Sequence, residues 1–276
     1  MDRRDFLTVL AAGTVGALTA GPLAGCASEV PAAEVTPTPP SSPPPPPVIT
    51  SPSPSASPAG LLPPAVGTRH PLPDEPITAL PGKGRHIALT VDDGASSEVV
   101  GAYVRFAQDT GARFTFFVTG SFDGWTDHRD DLRPLVESGQ VQLGNHTWTH
   151  PALTQLSSKE IADELGRTKR FLKKNYGVDG TPYYRPPFGY HNAAVDAVAA
   201  DLGYTMPTLW YGSLSDSGLI TEKYLLQCAR KYFQPQSVVI GHANHDPVTR
   251  VYPRLVEIIK RRKLRMVTLD DYFRSA

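Results

Sequence analysis

Asp92-Asp93-Gly94 puts two carboxylates side by side directly after an apolar run. Adjacent buried carboxylates repel one another, so something must compensate their charge, and a metal ion can do that. One aspartate can then bind the ion while its neighbour stays free as a base. Gly94 lets the chain turn sharply at that point. The same residues also fit an ordinary Asp-Gly turn. His146-Thr147-Trp148-Thr149-His150 places two imidazoles four residues apart, a spacing that suits two ligands of one metal. Solvated or core histidines produce the same spacing. Two nitrogens and one carboxylate form a catalytic zinc set with an open position for water.

Two further segments carry candidate chemistry. Tyr184-Arg185-Pro186-Pro187-Phe188-Gly189 sets an arginine beside a rigid Pro-Pro corner, where its fork can hold a carboxylate. A surface arginine in a Pro-Gly turn reads the same way. Val238-Val239-Ile240-Gly241-His242 ends an apolar run in a histidine, which suits a general acid or a capping histidine.

These residues need elements to position them. His86 to Val91 reads as a strand, and Ser96 to Thr110 as a helix with Val99, Tyr103, Phe106 and Ala107 on one face. Strands follow at Arg113–Val118 and Val141–Leu143, with a helix between them at Asp130–Ser138. Ser157 to Tyr176 is the clearest helix, opened by the Ser157/Glu160 capping pattern and closed by Gly177. Further on, Pro182–Arg185 reads as extended, His191–Leu202 and Thr221–Phe233 as helices, and Leu209–Tyr211 as lying near a strand end. Ser237–Ile240 is a strand, a helix runs through Val251, Leu255, Ile258 and Ile259, and Arg265–Leu269 is the last strand. This alternation predicts an α/β fold, a distorted (β/α) barrel of about seven parallel strands. In such barrels the chemistry sits at the C-terminal strand ends, where both the aspartate pair and the histidine pair fall.

Taken in order, these motifs resemble the polysaccharide deacetylase family, also called carbohydrate esterase family four, over residues 83–276. Its usual order is Thr-Phe-Asp-Asp-Gly, His-Ser/Thr-x-x-His, Arg-x-Pro-Phe/Tyr, an Asp-Trp motif and Leu-x-His. The resemblance implies Asp92 as general base, with Asp93, His146 and His150 as ligands of a divalent metal, zinc before Co2+, Mn2+ or Ni2+. It implies Arg185 as the partner that orients Asp92, and a backbone N–H near Phe188 as an oxyanion donor. His242 would be the general acid, tuned by Asp216. Three positions depart from the pattern: Val91 stands for Phe, Ile240 for Leu, and Ser217 for the Trp that walls the acetyl pocket. Trp148 or Trp210 could supply that wall instead, and His245 is an alternative acid to His242.

The rest of the chain bears on where such chemistry would act. The 276 residues carry 27 basic and 27 acidic side chains, a balance that gives no electrostatic pull toward nucleic acid. Residues 1–26 read as an export signal. Arg3-Arg4-Asp5-Phe6-Leu7 resembles a twin-arginine motif, and Leu23-Ala24-Gly25-Cys26 resembles a lipobox with Cys26 as the lipidated residue. A permanent membrane-spanning anchor is the other reading of the apolar stretch. Residues 27–82 read as a disordered Pro/Ser-rich linker, since this composition cannot build a core, and residues 83–276 as the catalytic domain. Cys228 is left as a buried thiol. The expectation is an exported monomer, lipid-anchored to the outer face of the cell membrane and acting on an acetylated glycan polymer. The reaction would be removal of N-acetyl groups from peptidoglycan or a chitin-like polymer. The alternatives are an O-acetyl esterase on a glycan such as xylan and a non-catalytic wall-binding module. Trp148, Tyr183, Tyr184, Phe188 and Tyr190 are candidates for stacking on sugar rings, or for the core.

Overall fold

A computed structural model describes residues 60–61 and 69–274. The expected export signal with Arg3, Arg4 and Cys26, and most of the Pro-rich tract, lie outside the described residues.

In chain order the elements begin with β1 (His70–Pro71), β2 (His86–Asp93), α1 (Ser97–Thr110), β3 (Phe114–Val118), α2 (Gly124–Asp127) and α3 (Arg129–Glu137). They continue with β4 (Val141–Asn145), α4 (Ser158–Tyr176), β5 (Tyr183–Tyr184), α5 (Ala193–Asp201), β6 (Met206–Pro207), β7 (Gly212–Ser213) and α6 (Glu222–Tyr232). The last are β8 (Ser237–His242), α7 (Tyr252–Arg261), β9 (Arg265–Met266), α8 (Leu269–Tyr272) and β10 (Phe273–Arg274). Seven parallel strands run in the order β6-β5-β4-β3-β2-β8-β7, and β9 pairs with β2 off that path. The sheet curls into a half-barrel with helices outside, as the sequence periodicity predicts.

Strand alternation divides the central strand between two cores. Ile87, Leu89 and Val91 of β2 pack outward with α1 and α7, whereas Ala88 belongs to the interior cluster. Register then brings the motifs to one rim: Asp92 pairs with His242, Asp93 with Val118, Val118 with Asn145, and Asn145 with Tyr184. His146 and Arg185 follow immediately after the last two. The capping box of Ser157 and Glu160 on α4 is present, and Gly177 closes that helix at φ 78°.

Two sequence expectations change. The domain does not begin at Lys83, because Ile77 (1% exposed) and Leu80 (3%) are buried in the barrel interior with Phe117, Tyr183, Met206 and Val238. The Ile77 N–H donates to the Pro207 carbonyl at 2.9 Å, and the Leu80 N–H to the Gln236 carbonyl at 2.9 Å. This strap thus fills space that the open barrel leaves, which a composition-based boundary cannot register. The strand expected over Arg265–Leu269 stops at Met266, because Thr268 caps α8 by accepting from the Asp271 N–H, and the last strand is instead β10, paired with β1. Leu209–Tyr211 lies between β6 and β7 and runs directly into the start of β7, near a strand end as expected.

Candidate active site

The Asp92 carboxylate, 2% exposed, faces into the barrel, where Arg185 donates Nη1–H to Oδ1 at 2.5 Å. Arg185 is fully buried, and each of its donor nitrogens is used. Nη1 also donates to Thr90 Oγ1, Nε to the Thr208 carbonyl and Nη2 to the Leu209 carbonyl. Its guanidinium stacks 4.2 Å from the Phe117 ring. Burial pulls the Arg185 pKa below its ordinary value, and the Asp92 charge only partly offsets this.

Asp93 turns the other way. Its φ of 72° is left-handed, an uncommon conformation for a non-glycine residue. His146 Nε2 and His150 Nε2 each lie 3.3 Å from Asp93 Oδ1. That oxygen is buried without a hydrogen-bond partner, while Oδ2 accepts from Asn244 Nδ2 at 2.7 Å. Burial pushes the Asp93 carboxyl up, but the two imidazoles beside it, His146 foremost, and the Asn244 bond outweigh it and hold the carboxyl well below its usual range. His146 Nδ1 meets the Arg185 carbonyl at 2.7 Å. A carbonyl only accepts, so Nδ1 carries the proton and Nε2 is left as the ligand atom. Burial lowers the His150 pKa, helped by the charge of His146.

Asp93, His146 and His150 offer one ligand atom each, all within 4.8 Å of one another. An unpartnered carboxylate oxygen facing two imidazole nitrogens fits a divalent cation with mixed N/O preference, as the sequence spacing implies. The backbone around the set is held in unusual conformations. Thr147, His150, Phe188 and Ser215 join Asp93 at positive φ, leaving only Gln236 and Lys263 elsewhere among the described non-glycine residues. Such conformations persist where surrounding contacts over-determine them, often at functional sites.

Across the cavity, His242 Nδ1 lies 3.0 Å from Asp216 Oδ1. Burial pushes the His242 pKa down, but the Asp216 bond and the charges of Asp92, Asp216 and Asp93 outweigh it and raise it above the ordinary value. Asp92, Asp93, His146, His150, Phe188, Trp210, Ser217, His242 and Asn244 line one cavity of about 710 Å³. Arg185 and Asp216 support it from behind. Trp210 therefore lines the same cavity as Ser217, the position at which the motif pattern expected Trp.

Several expected residues are elsewhere. Trp148 points away from the cavity, with Gly120 on one side of its indole and Arg167 stacked on it at 4.7 Å. Tyr183 and Tyr184 are fully buried core residues, since β5 lies inside the sheet. Tyr190 stays on the surface, 58% exposed, with its ring 5.8 Å from that of Phe188. His245 does not line the cavity; Asn244 turns in instead. Sequence reasoning missed Asn244 and Glu164. The Glu164 carboxylate accepts from the backbone N–H groups of Trp148 and Thr149 and from Thr149 Oγ1, which ties the histidine loop to α4. The capping pattern marks α4, but nothing local marks Glu164.

The polysaccharide deacetylase family matches residues 79–207. Chitin deacetylase 1 of Cryptococcus neoformans var. grubii is 39% identical over 123 residues, covering 44% of this chain and 25% of that protein. The peptidoglycan-N-acetylglucosamine deacetylase PgdA of Listeria monocytogenes is 27% identical over 195 residues, covering 68% of this chain and 39% of that protein. The chain thus spans between a quarter and two-fifths of the length of these two relatives. A solved family 4 carbohydrate esterase pseudoenzyme from Bacillus anthracis is similar with TM-score 0.63 at 22% identity, covering 73% of this chain and 69% of that one. That likeness is one of fold, and it shows that the fold by itself does not carry catalysis.

Proposed function

This chain carries a polysaccharide deacetylase domain over residues 79–207, and from that premise we propose that it is a metal-dependent hydrolase removing N-acetyl groups from a cell-wall or chitin-like glycan. The observation that carries the reading is the division of labour between two adjacent aspartates. Asp93 Oδ1 lies 3.3 Å from both His146 and His150, whereas Asp92 is fixed through Oδ1 by Arg185 and reaches only His146, through Oδ2 at 3.6 Å.

Asp93, His146 and His150 would hold the ion, zinc before the other divalent metals. When bound, such an ion is a Lewis acid that polarises the acetyl carbonyl and acidifies water. Asp92 takes a proton from the attacking water, with Arg185 fixing its carboxylate. The water oxygen bonds to the acetyl carbon and the C–N bond breaks. His242, oriented by Asp216, gives its proton to the leaving nitrogen, so acetate and a free amine result. Donors placed at the cavity wall, including backbone N–H near Phe188, stabilise the oxyanion. Exposed Phe188 and Tyr190 offer faces for sugar rings. Export and lipid attachment at Cys26 would set the domain beside an extracytoplasmic polymer.

Acetate release from N-acetylglucosamine oligomers and from acetylated xylan, each before and after chelation, tests the reading. The expected result is chelator-sensitive release, greater from the N-acetylated substrate. Greater release from xylan would make the protein an O-acetyl esterase, and none from either with zinc supplied would favour a wall-binding module. Asp92→Asn should lower the rate by about 10²–10⁴-fold; a wild-type rate in that variant would sink the mechanism.

A further inference from the structure

The carboxylate behind His242 is only half accounted for. Asp216 Oδ1 bonds to His242, while Oδ2 is buried with no hydrogen-bond partner. The hydroxyls of Tyr103 on α1 and Tyr252 on α7 are buried without partners as well. All three groups belong to one neighbourhood. The tyrosine rings meet edge to face with centroids 5.2 Å apart, and the Asp216 charge acts on both phenols. Gly241, next to His242, marks the space between them. A Cβ on Gly241 would sit 3.4 Å from Asp216 Oδ2 and 3.4 Å from the Tyr103 hydroxyl. The two oxygens are therefore neighbours, yet they make no direct hydrogen bond. Buried polar atoms are almost always satisfied, and water serves where no protein group reaches and two or more polar partners converge.

We propose that the Tyr103 and Tyr252 hydroxyls and Asp216 Oδ2 hold one buried water, which fixes the Asp216 carboxylate as the orienting partner of His242. The water accepts from both phenols and donates to Oδ2, so each of the three unpartnered side-chain oxygens gains a partner. Tyr103 and Tyr252 are then positioning residues that act through Asp216. Gly241 is required because any side chain there would fill the water's place. The inference rests on the reading of His242 as general acid.

Donation to Oδ2 draws negative charge away from His242. Removing a donor concentrates charge on the carboxylate and holds the imidazolium proton more firmly. The other titratable groups acting on His242 are Asp92 and Asp93 from β2 and His150 from the loop after β4, and Arg105 acts on Tyr252. All of them remain in tyrosine-to-phenylalanine variants.

Two measurements on the zinc-loaded protein test this. A crystal structure should show a water within hydrogen-bond distance of Asp216 Oδ2 and the Tyr103 hydroxyl, and Gly241→Ala should lack it. In NMR titrations of the His242 ring, Tyr103→Phe and Tyr252→Phe should each move the midpoint up by about half a unit, and Asp216→Asn should move it down. A dry cluster in the wild type, or a midpoint unmoved in both phenylalanine variants, overturns the inference. The titration reads the imidazole and not acetate release. A wild-type protein that released no acetate would therefore sink the deacetylase reading and leave this result interpretable.

Discussion

Asp92 and Asp93 are neighbours in the chain and take different partners because the backbone changes conformation at Asp93, the last residue of β2. Asp92 keeps the strand's alternation and faces inward to Arg185, while the left-handed φ of Asp93 swings its carboxylate to the histidines. Asp216 sets up a similar division for His242. Burial opposes the imidazolium, and the Asp216 bond is foremost among the effects that overcome it, followed by the charges of Asp92, Asp216 and Asp93. The protonated form therefore persists above the ordinary histidine range. If His242 is the acid, activity falls as pH rises through its raised pKa. Asp216→Asn removes the charge and lowers that pKa, so the alkaline limb of kcat/KM against pH should move down by about one unit. An unmoved limb would remove Asp216 from this role.

At the scale of elements, α4 is the frame of the histidine loop. Its Leu165 carbonyl accepts from Asn145 Nδ2, and Asn145 Oδ1 in turn accepts from the Thr147 N–H. Glu164 then pins the next two residues of the loop. The helix has its own capping box and buries Ile161, Leu165 and Leu172, so it stands without the loop. Glu164→Ala should therefore leave the fold intact and weaken zinc affinity by about ten-fold, as loss of a group that orients metal ligands usually does. Equilibrium dialysis against a competing chelator, alongside a thermal melt, checks both halves. An unchanged affinity would show that the loop holds its shape without the helix.

For the molecule as a whole, the half-barrel has no complete interior until the 77–80 strap enters it. Ile77 and Leu80 pack on inward-facing residues of β2, β3, β5, β6 and β8. Phe117 in that same cluster carries the stacked Arg185 guanidinium, so the strap supports the floor beneath Asp92. Ile77→Ala should cost about 2–5 kcal/mol of stability, measured by denaturant unfolding. A change of only a few tenths would mean that the strap is a surface ornament.

The motif residues, the strand–helix alternation and the helix caps were legible in the sequence, because each is a local property of period, turn chemistry or residue type. Asp92, Asp93, His146, His150, Arg185 and His242 were all singled out this way, and the fold brings them together at one cavity. Trp148 was misplaced as a pocket wall, because a side chain's direction in a tight loop depends on what packs beneath it, here Gly120 and Arg167. Tyr183 and Tyr184 fitted either sugar stacking or the core from their residue type, and the place of β5 inside the sheet makes them core. The strap, Glu164, Asn244 and the Tyr103–Tyr252 pair carry no local signature at all. The sequence by itself determined which residue types could hold a metal and move protons. The motif resemblance implied which aspartate goes with the histidines and which with Arg185; only the tertiary structure decided how that division is physically made. That division rests on strand register and on contacts between residues as far apart as Arg185 and Thr90, 95 positions away in the chain.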